Sequence, residues 1–317
     1  MWRRVIRSAR FAKCSTPALR RSIALMPSPF PLPSEWARVK ISNREVLMMT
    51  SKFEFSSELA AAERAARDAG VAVLGFFRGK FDVQQKSKNN PVTSADIEAN
   101  RIIRECVQKN FPNDGWLSEE DSDNLDRLNL SRVWVIDPID GTKEFIEGVP
   151  QFAISIAFVV DGLPKVAVVF NPAEQRFFKA AAGQGASLNG APIRVSARAA
   201  IDGADLLVSR SEPQKRFQVF VDRCAIRPVG SIAYRLAKVA GGDSDGTLTF
   251  RTICEWDICA GVLLVEEAGG RAVDGDGNLL RFNRQPAKHK GVVAANPALT
   301  GDLQGLWAAA VAARNNT

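Results

Sequence analysis

The sequence has only one histidine, His289, in 317 residues. Serine–histidine–aspartate hydrolysis, cysteine–histidine proteolysis, histidine-ligated zinc and phosphohistidine chemistry each need an imidazole in a prepared setting, so a single histidine argues against all four. Carboxylates are the remaining candidates for acid–base and metal chemistry. We therefore expect any catalysis by this chain to depend on aspartate and glutamate.

Paired cysteines and long apolar runs are also lacking. The five cysteines are odd in number and scattered, and none belongs to a Cys-x-x-Cys pair. This pattern is typical of a reducing compartment and argues against a disulfide scaffold or a zinc cluster. No apolar run approaches the about 18 residues that a membrane-spanning helix needs. The sequence therefore predicts a cytoplasmic protein that does not contact a membrane.

The basic excess of the chain is confined to its beginning. The formal net charge is +7, from 42 Lys and Arg against 35 Asp and Glu. Residues 1–50 hold ten basic and two acidic residues, which leaves 32 basic against 33 acidic residues in the body. We expect residues 1–50 to be a basic, disordered extension, although their Arg-rich, acid-poor composition also fits an organelle-targeting segment. The nearly neutral body predicts no binding of a nucleic-acid polymer.

The spacing of apolar residues in the body alternates between helical and strand periods. A helix is predicted from Ser56, with Ser57 as its cap, and a second helix is predicted from Ser94. Further segments are predicted as strands at 133–136, 153–160, 165–170, 176–181, 193–195, 206–209 and 247–250, and as helices at 231–240 and 257–267. Two successive sets of helices and strands indicate an α/β layered sandwich of two lobes, which we place at residues 51–195 and 196–312.

The most informative segment runs from residue 134 to residue 145 and reads WVIDPIDGTKEF. A strand is predicted to end at Asp137, because Pro138 has no N–H to donate to a strand ladder. Asp137 and Asp140 can then converge at the end of this strand, and the backbone amides of Gly141 and Thr142 suit an anion. Two carboxylates beside such amides fit a divalent cation that bridges to a phosphate.

Three other segments contribute acidic residues to the same hypothesis. Three acids stand together at 119–121, Asp96 lies at a predicted helix start, and Asp257 begins an otherwise apolar helix. Each has a structural alternative: a solvated acidic face at 119–121, a helix cap for Asp96 and Asp257, and an Asx turn at 137–140. Oxygen ligands without thiolate or imidazole partners favour Mg²⁺.

Together these motifs resemble the inositol monophosphatase superfamily of Mg²⁺-dependent, lithium-sensitive phosphomonoesterases. The resemblance covers residues 56–300 and is carried by Pro91-Val92-Thr93 with Asp96, Glu119-Glu120, Asp137 to Thr142, Trp256-Asp257, Ala260-Gly261 and Glu267 to Gly270. It implies an αβαβα fold with an acidic site for two or three Mg²⁺ ions. It also implies hydrolysis of a small phosphorylated substrate by metal-activated water, and it is compatible with a homodimer.

The resemblance further implies roles for individual residues. The metal ligands it implies are Glu119, Asp137, the Ile139 carbonyl, Asp140 and Asp257. The catalytic residues it implies are Glu119 and Thr142, which orient the attacking water, and Asp96, which supports the metal ligands or a third ion. The substrate-binding residues it implies are Gly141, Thr142, Gly230, Ser231 and Arg251.

The substrate is suggested by the residues that follow the Asp-Gly-Thr motif. Residues 143–146, Lys-Glu-Phe-Ile, resemble the 3′(2′),5′-bisphosphate nucleotidase branch, which removes the 3′-phosphate of adenosine 3′,5′-bisphosphate. Arg251 lies where inositol phosphatases usually present an acid, and an arginine suits a second phosphate. Inositol monophosphatase, histidinol-phosphate phosphatase and another sugar-phosphate phosphatase remain alternatives. Two alternatives belong to different classes: a catalytically silent metal- or nucleotide-binding protein, and a nucleic-acid binder that uses the basic extension.

Overall fold

A computed structural model describes residues 54–87 and 90–315, and the predicted extension at residues 1–50 lies outside them. The helices are α1 (Ser56–Phe76), α2 (Ser94–Asn110), α3 (Thr142–Ile146), α4 (Gln218–Val221), α5 (Ile232–Ala240), α6 (Glu255–Glu267) and α7 (Pro297–Asn315). The strands are β1 (Val83–Ser87), β2 (Asn90–Thr93), β3 (Gly115–Ser118), β4 (Arg132–Asp140), β5 (Ala153–Val160), β6 (Leu163–Asn171), β7 (Arg176–Ala181), β8 (Ala186–Leu188), β9 (Ala191–Ile193), β10 (Ala204–Ser209), β11 (Cys224–Val229), β12 (Gly246–Cys254), β13 (Arg271–Val273) and β14 (Lys288–Ala295).

A seven-stranded sheet contains β3 to β9 in chain order, with β3 and β4 parallel and the other pairs antiparallel. Its central strands β4, β5 and β6 are mostly apolar and buried because both faces are covered. In β5, Ile154 and Ile156 pack towards α1 and α2, whereas Ala157 and Val159 pack towards α5 and α6. The alternation follows from the two-residue period of a strand.

A five-stranded sheet has the order β11-β10-β12-β14-β13. Helices α5 and α6 lie between the two sheets, and α4 and α7 cover the outer face of the smaller one. The layers therefore follow the predicted αβαβα order. In the part of the chain that the structure describes, no helix combines the length and apolar character needed to cross a membrane.

Three local predictions were wrong. Strand β4 does not end at Asp137, because pairing with β5 resumes at Asp140, opposite Ala153, after an irregularity around the proline. Ser57 does not cap α1, since its hydroxyl donates to Glu58 and residue 55 holds the cap position without a side-chain bond. The strand predicted at 193–195 is shifted to 191–193, because Asn189-Gly190 forms a two-residue hairpin turn with positive φ angles of 50° and 86°.

The division into lobes at residue 195 stays a prediction. The strands of the two sheets separate there, since β9 ends at Ile193 and β10 begins at Ala204. One hydrophobic cluster nevertheless contains residues of both sheets, such as Val135 and Val292, around α5 and α6. The two halves thus share an interior.

The lone histidine has a structural environment rather than a catalytic one. His289 lies on β14 and is 4% exposed, with its Nδ1 atom 3.1 Å from Arg284 Nη1. Its Nε2 atom has no hydrogen-bond partner among the described residues. Burial, followed by the positive charge of Arg284, lowers the pKa of His289 to about 4. The folded protein therefore holds this ring neutral at physiological pH.

We expect His289 to make the folded state less stable in mild acid. Between its ordinary pKa of 6.5 and its folded pKa of about 4, the unfolded chain binds a proton that the folded chain does not, so stability falls as the pH falls. The loss between pH 7.5 and pH 5 should be about 2 kcal/mol. Urea unfolding of wild type and His289→Gln at both pH values measures it. If the free energies of unfolding of wild type and His289→Gln differ by the same amount at both pH values, the prediction is contradicted.

Candidate active site

Three carboxylates from three different elements meet at one end of the large sheet. Glu119 follows β3, Asp137 lies in β4, and Asp257 lies in the first turn of α6; oxygens from all three lie within 4.8 Å of one another. The parallel register of β3 and β4 pairs Ser118 with Ile136, so the acids that follow these two residues are neighbours. The structure thus brings together three of the predicted metal ligands.

Burial makes this cluster unfavourable unless a cation compensates its charge. Asp137 is 1% exposed, and its Oδ2 atom has no hydrogen-bond partner among the described residues. Burial, and then the charges of Glu119, Asp140 and Asp257, raise the pKa of Asp137 well above its usual range. Burial also raises the pKa of Asp257, with further contributions from Asp140 and Glu119. Buried, mutually repelling oxygen donors without thiolate or imidazole fit the Mg²⁺ ion expected from the family resemblance.

Asp140 stands beside this cluster and also holds the start of α5. Its Oδ2 atom accepts hydrogen bonds from Ser231 Oγ at 2.7 Å and from the amide of Ala233 at 2.6 Å. Burial raises the pKa of Asp140 to about 6, although both hydrogen bonds favour its charged form. One carboxylate oxygen therefore fixes the helix, while the ligand roles of Asp140 and of the Ile139 carbonyl stay predictions.

Thr142 is connected to Asp96. Its Oγ1 atom lies 3.1 Å from Asp96 Oδ1 and 3.1 Å from the Ile139 carbonyl oxygen. Asp96 is buried and also caps α2, because its Oδ2 atom accepts the amide of Thr93 at 2.8 Å. The helix-cap interpretation of Asp96 and its predicted support of the site are therefore compatible.

Glu119 has a different partner, Lys86, which the sequence analysis did not identify. Lys86 Nζ lies 2.8 Å from Glu119 Oε1 and 2.9 Å from Glu120 Oε1. Lys86 lies on β1, which pairs only with β2 in a separate two-stranded sheet. The pairing could not be foreseen, because 33 residues separate the partners and only the folded chain brings this small sheet to the acidic cluster.

The turn between β4 and α3 depends on Gly141. Its φ angle is +98°, and a Cβ atom at this position would lie 2.9 Å from the Gln151 carbonyl oxygen. Only glycine adopts this conformation at low cost in such a confined place. The turn places Thr142 at the first position of α3, facing Asp96.

A cavity of about 340 Å³ opens on the acidic cluster. All five predicted substrate-binding residues line it, namely Gly141, Thr142, Gly230, Ser231 and Arg251. The cavity is also lined by Lys143, Glu144, Ser209, Ser211, Arg235, Thr249 and Thr252. The lining of the cavity therefore combines carboxylates with cations and hydroxyl groups.

Arg235 is a second residue that the sequence analysis missed. It is 3% exposed, and its Nη1 atom donates to Thr247 Oγ1 at 3.1 Å and to the Leu248 carbonyl at 3.2 Å. Burial lowers the pKa of Arg235 to about 10. Its position four residues after Ser231 places both on the same face of α5, which is the sequence pattern that could have revealed it.

Comparisons with known proteins agree with this architecture. A profile of the inositol monophosphatase family matches residues 55–315. The Nus factor SuhB of Escherichia coli K12 is 36% identical over 253 residues, which cover 75% of this chain and 91% of that protein. A histidinol-phosphatase of Chlorobaculum parvum is 33% identical over 254 residues, which cover 78% of this chain and 95% of that protein.

A solved structure gives the same result for the fold. The IMPase of Thermotoga maritima matches 80% of this chain and 98% of its own length, with a TM-score of 0.72 and 32% sequence identity. The predicted superfamily and its phosphomonoesterase class are confirmed at the level of the family. The chain therefore belongs to the inositol monophosphatase family.

Proposed function

We propose that this chain is a Mg²⁺-dependent phosphatase that hydrolyses adenosine 3′,5′-bisphosphate to AMP and phosphate. The observation that carries the proposal is that basic side chains line the same cavity as the acidic cluster. Glu119, Asp137 and Asp257 form the acidic cluster, and the lining of the same cavity includes Lys143 and Arg251. Cations in the lining of a cavity that also contains a metal site suit a second phosphate that is bound but not cleaved.

The residues of the acidic cluster would hold the metal. Glu119, Asp137 and Asp257 would bind one Mg²⁺ ion, while the free oxygen of Asp140 and the Ile139 carbonyl would contribute to a second; we propose two or three ions in all. Bound Mg²⁺ would neutralise charge on the phosphate and lower the pKa of a water molecule. The chain itself supplies the orientation, because Asp96 holds the Thr142 hydroxyl at the edge of the cavity.

The names of the relatives favour a second candidate, hydrolysis of a polyol or amino-alcohol monophosphate. The matched proteins include an IMPase and a histidinol-phosphatase. Neither inositol monophosphate nor histidinol phosphate carries a second phosphate, so neither would use Arg251 as a phosphate ligand. This difference separates the two candidates by experiment.

Steady-state hydrolysis of the three substrates by one preparation with Mg²⁺ tests the proposal. We expect kcat/KM for adenosine 3′,5′-bisphosphate to be at least about tenfold higher than kcat/KM for inositol monophosphate or histidinol phosphate. Arg251→Ala should lower kcat/KM for the bisphosphate about 10- to 100-fold, which is the usual cost of losing a charged hydrogen bond. Arg271→Ala, on a strand that does not line the cavity, is the control. A preference for inositol or histidinol phosphate would refute the nucleotidase assignment, and no phosphate release from any of the three would favour the catalytically silent alternative.

Three further expectations accompany this proposal. We propose that the enzyme is cytoplasmic and homodimeric, and that it binds small phosphorylated molecules rather than a nucleic-acid polymer. The last point stays a prediction, because one relative bears the name Nus factor. Salt-sensitive RNA binding that disappears on deletion of residues 1–48 would contradict it.

A further inference from the structure

Glu144 is a buried carboxylate in the cavity that the proposed chemistry does not use. It lies in α3, is 6% exposed, and lines the cavity together with Ser209, Ser211 and Gly230. Among the described residues, the side-chain partner of its carboxylate is Arg210, whose Nη1 atom is 3.4 Å from Glu144 Oε1. At this length the hydrogen bond is weak. Glu144 is thus a strong acceptor that the protein itself satisfies only in part.

Gly230 fixes the position of this carboxylate. A Cβ atom at residue 230 would lie 2.4 Å from Glu144 Cδ and 2.7 Å from Glu144 Oε1, so the carboxylate occupies the space that any other side chain would need. The Gly230 amide donates to Gln151 Oε1 at 2.9 Å, which holds the backbone in place. The glycine is therefore needed for close packing against Glu144. A carboxylate held in this way is prepared to receive a donor from the cavity.

We propose that Glu144 is a specificity-determining residue that accepts a hydrogen bond from a hydroxyl group next to the scissile phosphate ester. An ionised carboxylate accepts hydrogen bonds only, so it attracts hydroxyl groups and repels phosphates. The identity of the group rests on the proposed function: in adenosine 3′,5′-bisphosphate, the neighbouring group is the ribose 2′-hydroxyl. Burial raises the pKa of Glu144, the positive charge of Arg210 opposes this shift, and the contact with Arg210 leaves an oxygen available to the substrate.

The test compares kcat/KM for adenosine 3′,5′-bisphosphate and for its 2′-deoxy analogue. A hydrogen bond to a charged group predicts that wild type prefers the hydroxylated substrate by about 10- to 100-fold. Glu144→Ala should reduce this ratio to near one, and Glu144→Gln, which keeps the shape and a neutral acceptor, should give an intermediate ratio. Glu147→Ala is the matched control, because Glu147 also pairs with Arg210 but does not line the cavity. It should keep the wild-type ratio.

The outcomes separate this inference from the proposed function. The inference would be overturned if Glu144→Ala and Glu144→Gln both kept the wild-type ratio of kcat/KM between the hydroxylated and the 2′-deoxy substrate. A loss of activity towards both substrates by the same factor would indicate a structural role for Glu144 and would also overturn the inference. If Glu144→Ala does not fold, the ratio for Glu144→Gln decides. If wild type hydrolyses neither bisphosphate, the proposed substrate is wrong, and the same comparison is made with inositol 1-phosphate and its analogue that lacks the neighbouring hydroxyl.

Discussion

Asp137→Asn is expected to lower turnover by more than about a thousandfold, because metal ligation supplies several kcal/mol of transition-state stabilisation and each 1.4 kcal/mol is tenfold in rate. Asparagine keeps the acceptor that receives the Ile139 amide at 3.0 Å. It removes the charge of Oδ2, the buried oxygen without a partner among the described residues. The substitution therefore acts on metal binding with little change in shape.

The same substitution should make the metal-free protein more resistant to heat. Asp137 is buried among Glu119, Asp140 and Asp257, whose charges oppose its ionisation. Removal of one charge relieves both the desolvation cost and the repulsion, and about 1 kcal/mol corresponds to roughly 2–4 °C for a protein of this size. We expect Asp137→Asn to unfold a few degrees above wild type in EDTA and to lose most of the stabilisation by Mg²⁺.

A loss of activity combined with a higher unfolding temperature distinguishes loss of metal binding from misfolding, which would lower both quantities. Thermal unfolding in EDTA and with Mg²⁺, together with phosphate release, gives both quantities. Asp257→Asn should behave in the same way, and Asp302→Asn, at an exposed position of α7, should leave both unchanged. Near-normal turnover of Asp137→Asn, or a lower unfolding temperature in EDTA, would show that Asp137 is not a metal ligand.

The acidic cluster could be predicted because local sequence determines much of it. The part of β4 that leads to Asp137 is apolar over Val133 to Ile136, Glu119 directly follows β3, and Asp257 lies in the first turn of α6. Pro138 marked the interruption of pairing. It did not reveal that β4 continues, since that depends on the partner strand β5.

Several elements of the structure were not predicted from the sequence, and each omission has a physical reason. Edge strand β11 contains Arg227 and Pro228, and its half-exposed positions give no alternating pattern. Strand β14 begins with Lys-His-Lys, so its first part looks like a loop although it pairs with β12. Helix α7 contains Gly301 and Gly305, which lower helix propensity, and packing of its apolar residues onto the small sheet compensates for this. Each depends on contacts distant in sequence.

The positions of residues that line the cavity also could not be predicted from the sequence alone. Glu144 is part of a recognised motif, but its position depends on the backbone of Gly230, 86 residues later in the chain. Arg235 depends on β12 for its hydrogen bonds. The positions of these cavity residues are thus determined by contacts between elements distant in sequence, which single-sequence periodicity does not contain.

Thr142→Val is expected to lower kcat by about a hundredfold, within the range typical of a group that assists proton transfer, while the affinity for Mg²⁺ stays near the wild-type value. Valine keeps the volume of threonine and removes the hydroxyl that lies 3.1 Å from Asp96. Thr142→Ser, which keeps the hydroxyl, should retain most of the activity. A Thr142→Val enzyme with near-normal kcat would refute the catalytic role.

A double-mutant cycle then decides whether Asp96 acts through Thr142. Asp96 Oδ1 accepts the Thr142 hydroxyl and Asp96 Oδ2 caps α2, so Asp96→Ala, which removes both acceptors, should lower kcat to a similar extent and also cost about 1 kcal/mol of stability through the lost cap. If the two side chains orient water as one unit, the double variant should be no slower than the slower single variant, because the second substitution has nothing left to remove. Independent roles predict that the two losses multiply. Single-turnover kinetics of the four proteins with Mg²⁺ separates these results, and a multiplicative loss would assign Asp96 to the metal site rather than to Thr142.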